Sequence, residues 1–151
     1  MLTHGDKAPS FSQLDQNAFK HESKQLKGKR YLVYFYPKDS TPGCTTQACG
    51  MQSDLEQFNH LGIAVFGVSA DSIERHKKFA EKYHLQFPLL ADHQAEVALR
   101  YHSLIDLGMF KFARRNTFLI DPQGNIAKIY LSASARRNAN EVITDLKHIQ
   151  A

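Results

Sequence analysis

The chain has 151 residues and a net charge of +4 at neutral pH. Hydrophobic residues make up 42% of it and charged residues 23%, which are ordinary values for a globular domain and argue against a disordered chain. No apolar run approaches the length of a membrane span or of a signal-peptide core. We therefore expect one domain over residues 1–151, located in the cytoplasm without membrane association.

The positive charge is concentrated in one part of the chain. Residues 111–137 contain six Lys or Arg residues against one Asp. The region has no run of five basic residues and no recognisable nucleic-acid motif, so we interpret it as a solvated basic face. No nucleic-acid partner is expected, and a basic nucleic-acid-associated module is kept as an alternative.

The opening third of the chain predicts a hairpin, a strand and a helix. The segment "FSQLDQNAF", residues 11–19, is typical of an exposed hairpin. The apolar, aromatic run "RYLVYFYP", residues 30–37, predicts a buried strand that ends at a proline. A helix is then expected from about residue 42 to residue 60.

A second strand and helix follow directly. The run "IAVFGVSA", residues 63–70, predicts another buried strand. The segment "DSIERHKKFAEKYH" after it predicts a helix in which charges occupy all but one face, marked by Ile73, Phe79 and Tyr83.

The remainder predicts a short strand at 87–92, a short helix in "QAEVALRYH" and a hairpin in "NTFLIDPQGNIAKIYLS". An amphipathic helix, capped by Asn138 or Asn140, closes the chain. Two strand–helix units followed by a hairpin and a helix predict a mixed central β-sheet flanked by helices on both faces. This order is typical of a thioredoxin-like α/β fold.

The only two cysteines lie five residues apart in "YPKDSTPGCTTQACG", residues 36–50. Thr41 followed by Pro42 is typical of a helix N-cap and first helical position, which puts Cys44 at the third position. There a thiolate would face unpaired backbone N–H groups and the positive end of the helix, which stabilise the ionised sulfur. We expect the Thr41 hydroxyl, bonded toward that first turn, to lie close to the sulfur.

The same helix holds the two thiols apart. Cys49 lies about 140° round the helix from Cys44, and the two Cα atoms are roughly 8.6 Å apart by helix geometry, beyond the reach of a disulfide. Gly50 follows and weakens the helix, so the thiols can meet if one turn unwinds. One buried stripe is predicted for Cys44, Ala48, Met51, Leu55 and Phe58. Cys44 is thereby expected to point toward the C-terminal end of the strand before it, the edge of the sheet where ligands bind.

Other interpretations of the cysteines stay open at this point. Both could be inert small hydrophobic residues of the core. A zinc site is not expected, because Cys-x4-Cys is not a usual knuckle and the eight histidines include no pair three or four residues apart. A serine hydrolase is disfavoured by the absence of a G-x-S-x-G motif. A redox-dependent interaction protein is the main functional alternative.

The segment "YFYPKDSTPGCTTQACG" resembles the active-site segment of peroxiredoxins. The second cysteine five residues on, together with "FGVSADS", "HKKFAEKY", "FPLLAD" and "RNTFLID", is similar to the peroxiredoxin Q or bacterioferritin comigratory protein subfamily over roughly residues 5–150. The resemblance implies that Cys44 is the peroxidatic thiol and Cys49 the resolving thiol. It implies a substrate pocket made by Pro37, Thr41, Gly43 and Arg115, with Thr41 and Arg115 also acting in catalysis.

The resemblance also implies a reaction cycle. The Cys44 thiolate attacks hydrogen peroxide or an organic hydroperoxide and becomes a sulfenic acid, which Cys49 condenses to a disulfide. Thioredoxin or a glutaredoxin-type dithiol then reduces the disulfide. Helix-start N–H groups, Thr41 and Arg115 would stabilise the developing charge, while Arg114 faces solvent. No cofactor or metal is implied, the role is antioxidant defence, and a monomer is expected.

Three features depart from the family pattern. Gln47 stands where the family usually has glutamate, which removes a charge that helps to organise the arginine network. Asn138 replaces a frequent histidine. The stretch "SLIDLGMFKFARR", residues 103–115, is unlike the usual loop and leaves the pocket rim undefined.

Overall fold

A computed structural model describes residues 1–150 of the chain. Its centre is a five-stranded sheet whose strands are β3 (Arg30–Phe35), β4 (Ile63–Ser69), β5 (Leu89–Ala91), β8 (Thr117–Ile120) and β9 (Ile126–Tyr130). Their order across the sheet is β5-β4-β3-β8-β9. β4 runs parallel to both β3 and β5, while β8 pairs antiparallel with β3 and β9. The prediction of a mixed sheet is confirmed.

Both faces of this sheet are buried, as the continuous apolar run of β3 predicts. Successive side chains along β3 alternate between two separate cores: Leu32 and Tyr34 belong to one, Val33 and Phe35 to the other. The first core is covered by helices α1 (Pro42–Ser53), α2 (Leu55–His60), α3 (Ile73–Tyr83) and α5 (Asn138–Gln150). The second is covered by α4 (Glu96–Arg100) and by N-terminal residues. The thioredoxin-like α/β fold with helices on both faces is therefore confirmed.

The long helix predicted for residues 42–60 is two helices, α1 and α2, which meet at Asp54 (φ −100°, ψ 6°). Ser and Asp are poor helix-interior residues because their side chains compete for backbone hydrogen bonds. The break at Asp54 does not change which side chains of the two helices face the core. The predicted stripe is buried in full: Cys44, Ala48, Met51, Leu55 and Phe58.

Two small antiparallel hairpins flank the sheet. The predicted N-terminal hairpin is present as β1 (Ser12–Leu14) and β2 (Lys20–Glu22). A second hairpin, β6 (Leu104–Asp106) with β7 (Lys111–Ala113), occupies the stretch that the sequence left undefined. Within residues 1–150, no helix combines the length and apolar character needed to cross a bilayer. The predicted domain of 1–151 extends to Ala151, which lies outside the described residues.

Candidate active site

Cys44 lies at the junction between β3 and α1. Thr41 has extended backbone geometry (φ −84°, ψ 152°) and α1 begins at Pro42, so the predicted helix start is confirmed. The Cys44 side chain is only 1% exposed and packs into the first core. The sulfur therefore lies at the positive end of a twelve-residue helix, shielded from bulk water.

The Thr41 hydroxyl does not take the predicted position. It donates a hydrogen bond of 2.9 Å to the carbonyl of Lys38, three residues earlier. The expectation that it is bonded toward the first turn of α1 is therefore wrong. The physical reason is the tight loop before the helix, in which Ser40 has a positive φ of 64° and Thr41 closes the turn.

Arg115 contacts the sulfur because of the strand pairing. Thr117 of β8 lies opposite Tyr34 of β3, and the N–H of Phe35 donates to the carbonyl of Asn116 at 2.9 Å. This register brings Arg115 to the end of β3, where α1 begins. Its Nη2 donates to Cys44 Sγ at 3.2 Å, which places a fixed positive charge beside the sulfur.

Gly43 gives the guanidinium its place. A Cβ atom at residue 43 would lie 3.3 Å from Cζ of Arg115 and only 2.6 Å from its Nη2, closer than Cβ atoms approach other groups, so the guanidinium would have to shift. Only glycine leaves this space free. Gly43, Cys44 and Arg115 are thus brought together, whereas Arg114 is exposed as predicted.

Pro37 lies on a neighbouring surface. It lines a cleft of about 770 Å³ whose other walls include Lys38, Asp71 and the tip of the β6–β7 hairpin. Cys44, Thr41 and Arg115 are not among the lining residues described for this cleft. Pro37 is therefore a wall of this cleft, and its part in a pocket around Cys44 stays a prediction.

A chain of buried amides extends from Arg115 to α5. Nη1 of Arg115 donates to Oε1 of Gln47 at 3.0 Å, and Nε2 of Gln47 donates to Oδ1 of Asn138 at 3.2 Å. The Thr117 hydroxyl donates to the same Asn138 oxygen at 2.9 Å. Gln47 thus holds the guanidinium from behind without adding a charge of its own.

Asn138 is the first residue of α5 and is 1% exposed, so the prediction that it or Asn140 caps the helix is wrong. Its side chain turns inward because Gln47 and Thr117 offer it donors there. The turn before the helix is closed instead by Ser134, whose hydroxyl oxygen accepts from the N–H of Arg137 at 3.3 Å.

Replacing Gln47 with glutamate should slow the reaction of Cys44 with iodoacetamide by roughly three- to tenfold. A carboxylate beside Arg115 would neutralise part of the charge that faces the sulfur. The measurement is the second-order rate constant of alkylation at Cys44 in a Cys49→Ser background. Gln57→Glu, which adds the same charge at an exposed position of α2, is the matched control. Equal rate constants in Gln47→Glu and the parent would contradict this role of Gln47.

Cys49 lies on another side of α1 and is partly exposed. Both cysteines are free thiols, and α1 runs without interruption through both. A Cβ atom at the following Gly50 would meet no atom within 4 Å, so packing does not require a glycine there. The helix-weakening residue beside Cys49 is therefore not explained by steric demand.

A second buried polar cluster was missed by the sequence analysis. Ligand-type atoms of Asp39, Asp71 and His76 lie within 4.8 Å of one another, a spacing that suits a metal ion. Asp39 and His76, however, bond to each other at 2.6 Å, and Asp71 accepts from the Asp39 N–H and from Ser69. A metal ion would have to displace these bonds, so the cluster is a hydrogen-bond network.

Comparisons with known proteins agree with this architecture. A family model described as the AhpC/TSA family matches residues 4–129. The chain is 38% identical over 143 residues to a putative peroxiredoxin bcp of Coxiella burnetii, a match that covers 92% of this chain and 95% of that protein. The crystal structure of peroxidoxin BcpB from Mycobacterium tuberculosis is similar over 100% of both chains, with a TM-score of 0.93 and 27% identity.

A structure of the Xanthomonas campestris bacterioferritin comigratory protein, described for its alkyl peroxide reduction activity, matches with a TM-score of 0.85 and 26% identity, covering 93% of this chain and 92% of that one. These similarities define the chain as a thiol peroxidase with a thioredoxin-like fold. It belongs to the AhpC/TSA family, as a peroxiredoxin of the peroxiredoxin Q or bacterioferritin comigratory protein subfamily.

Proposed function

We propose that the chain is a two-cysteine peroxidase in which Cys44 is the peroxidatic thiol and Cys49 the resolving thiol. The contact of 3.2 Å between Arg115 Nη2 and the buried Cys44 sulfur carries this proposal. The thiolate attacks one peroxide oxygen, the O–O bond breaks, and the other oxygen leaves as hydroxide or alkoxide. Arg115 and the N–H groups at the start of α1 stabilise the charge on that leaving oxygen.

The resolving step requires a change of conformation. Cys44 then carries a sulfenic acid, which the Cys49 thiol condenses to a disulfide with loss of water. Because intact helix geometry keeps the two Cα atoms roughly 8.6 Å apart, part of residues 42–50 must unwind first. An external dithiol such as thioredoxin or a glutaredoxin-type protein then reduces the disulfide and is itself oxidised.

The substrates proposed are hydrogen peroxide and organic hydroperoxides, consistent with the alkyl peroxide activity described for the Xanthomonas campestris relative. We place this activity in a single-domain, monomeric, cytoplasmic enzyme of antioxidant defence, with Pro37, Thr41 and Gly43 forming the pocket around Cys44 and Arg115. No cofactor enters the chemistry.

The decisive experiment adds one equivalent of hydrogen peroxide to the reduced protein without oxygen, followed by intact mass and peptide mapping. A loss of two hydrogens, localised to a Cys44–Cys49 link, is the expected result. Oxidation at Cys44 with no link to Cys49 would reject the resolving role, and an unreacted Cys44 would reject the proposal as a whole.

Replacing Gly50 with alanine should slow the condensation step by about fivefold and leave the first oxidation unchanged. Alanine favours the helix by about 1 kcal/mol, so the unwound state becomes less populated. The longer-lived sulfenic acid should then meet a second peroxide more often, and sulfinic acid should accumulate at Cys44. Rapid-mixing kinetics of both steps and mass analysis after excess peroxide provide the test.

Ser53→Ala is the matched control, because Ser53 is an exposed α1 residue beyond the segment that must open. A condensation rate in Gly50→Ala equal to that of the parent would mean that unwinding is not rate-limiting.

A further inference from the structure

Asp39 ties the loop that leads into α1 to the core of the protein. It is 4% exposed, although it lies between β3 and α1 in a connecting segment of residues 36–41. One carboxylate oxygen accepts from the Tyr36 hydroxyl at 2.5 Å, and the other lies 2.6 Å from Nδ1 of His76. The N–H of Asp39 donates to the Asp71 carboxylate at 2.8 Å. The loop is thus bonded to α3 and to the segment after β4.

His76 is bonded on both sides and fully buried. Its Nε2 lies 3.0 Å from the carbonyl of Leu90. Because a carbonyl only accepts, the Nε2–H donates to it, while Nδ1 faces the Asp39 carboxylate. Burial, together with the Asp39 charge, raises the pKa of Tyr36 well above its ordinary value, so its hydroxyl stays protonated and donates to Asp39.

The loop needs such an anchor because its backbone is strained. Ser40, directly after Asp39, has a φ of +64°. This left-handed conformation is unfavourable for residues other than glycine. Conformations of this kind persist only where the surroundings fix them, and they occur often at functional sites. Here the fixing bonds come from Asp39, five residues before Cys44.

Stability alone does not account for these buried groups. Apolar residues of similar volume are often as stable as a buried carboxylate–imidazole pair, because taking charged groups out of water is costly. A pair of this kind fixes distances and angles more closely than apolar packing does. The pair lies at the start of the helix that carries Cys44, where a precise geometry affects the reaction of the sulfur.

We propose that the Asp39–His76 pair is a positioning device for Cys44, which holds the loop of residues 36–41, and through it the first turn of α1, in the geometry that reacts with peroxide. The inference rests on the proposed role of Cys44. Neither side chain is hydrogen-bonded to the sulfur, and both act through the backbone of the loop. When residues 42–50 unwind, the anchored loop is the fixed end from which the helix re-forms.

The test measures two reactions of Cys44 in a Cys49→Ser background, each with and without the substitution His76→Phe. Phenylalanine keeps a ring at residue 76 and loses both hydrogen bonds. Peroxide needs the aligned pocket, whereas iodoacetamide needs only an accessible thiolate. The rate with hydrogen peroxide should fall by about 10- to 100-fold. The rate with iodoacetamide should stay equal or rise, because the helix start opens more often.

Asp92→Asn is the matched control for general destabilisation. Asp92 is also a buried carboxylate, but it accepts from the N–H groups of Val97 and Ala98 at the start of α4, on the other face of the sheet. Its ratio of peroxide rate to iodoacetamide rate should match that of the parent. A drop in both rates of His76→Phe, or a ratio equal to that of Asp92→Asn, would overturn the inference.

A second readout does not depend on peroxide chemistry. Amide hydrogen exchange of peptides spanning residues 38–46 should accelerate in reduced His76→Phe and stay unchanged in Asp92→Asn. Unchanged exchange would reject the positioning role even if Cys44 proves not to be the nucleophile. If His76→Phe does not fold, Asp39→Asn and His76→Gln, which conserve size and some hydrogen bonding, should show the same changes at smaller amplitude. Rates and hydrogen exchange equal to those of the parent in both of these variants would also overturn the inference.

Discussion

Replacing Cys44 with serine should reduce peroxide turnover by on the order of 10⁴-fold or more, as happens when the nucleophile of an enzyme is removed. A serine hydroxyl is scarcely ionised near neutral pH and is a poor nucleophile, so the variant loses the reactive sulfur that Arg115 contacts at 3.2 Å. Turnover is measured as peroxide consumption with dithiothreitol as reductant, so the assay does not require the natural partner.

Cys49→Ser is the matched control, since it removes a thiol from the same helix. This variant should still react once and then stop at the sulfenic acid, which dimedone labels at Cys44. Substantial turnover in Cys44→Ser would remove Cys44 from the mechanism. A missing dimedone label in Cys49→Ser would argue against the resolving role of Cys49.

Replacing Arg115 with alanine should slow the attack of Cys44 on peroxide by about 10²- to 10³-fold, the usual effect of removing one donor that stabilises developing charge. The guanidinium is a cation within hydrogen-bonding distance of the sulfur, and in the proposed mechanism it also binds the leaving oxygen. The measurement is the second-order rate constant of the first oxidation, together with the thiolate absorbance at pH 7.

Arg114→Ala removes the same charge from the neighbouring residue, whose side chain is exposed, and should have little effect. Gly43→Ala should give an intermediate loss, because its Cβ would displace the guanidinium without removing the charge. If Arg114→Ala and Arg115→Ala lose activity equally, the wrong arginine has been assigned. If Gly43→Ala retains full activity, the contact with the sulfur does not limit the reaction.

The sequence was sufficient to predict the elements whose apolar residues recur at the regular spacing of a strand or a helix. The run of β3 alternates between two cores, and the stripe from Cys44 to Phe58 keeps its face across the break at Asp54. The hairpin β6–β7 escaped prediction because its connecting residues 107–110 contain none of the Asn-Gly or Asp-Gly pairs that mark tight turns.

The polar contacts of the site were harder to predict from the sequence, because they join residues far apart in the chain. Gln47, Thr117 and Asn138 come together only through the packing of α1 and α5 against β8. His76 did carry a signal that was overlooked. It stands three residues after Ile73 and three before Phe79, on the apolar face of α3, where a histidine must find buried partners.

The burial of Cys44 has a consequence for the reductant. Thiol–disulfide exchange needs an attacking thiol to approach one sulfur in line with the S–S bond, and Cys44, a residue 1% exposed while α1 is folded, offers no such approach. In the proposed cycle, a reductant therefore recognises the unwound, oxidised form and not the reduced one. Once both electrons have been transferred, α1 re-forms and withdraws the sulfur, so helix folding itself releases the partner.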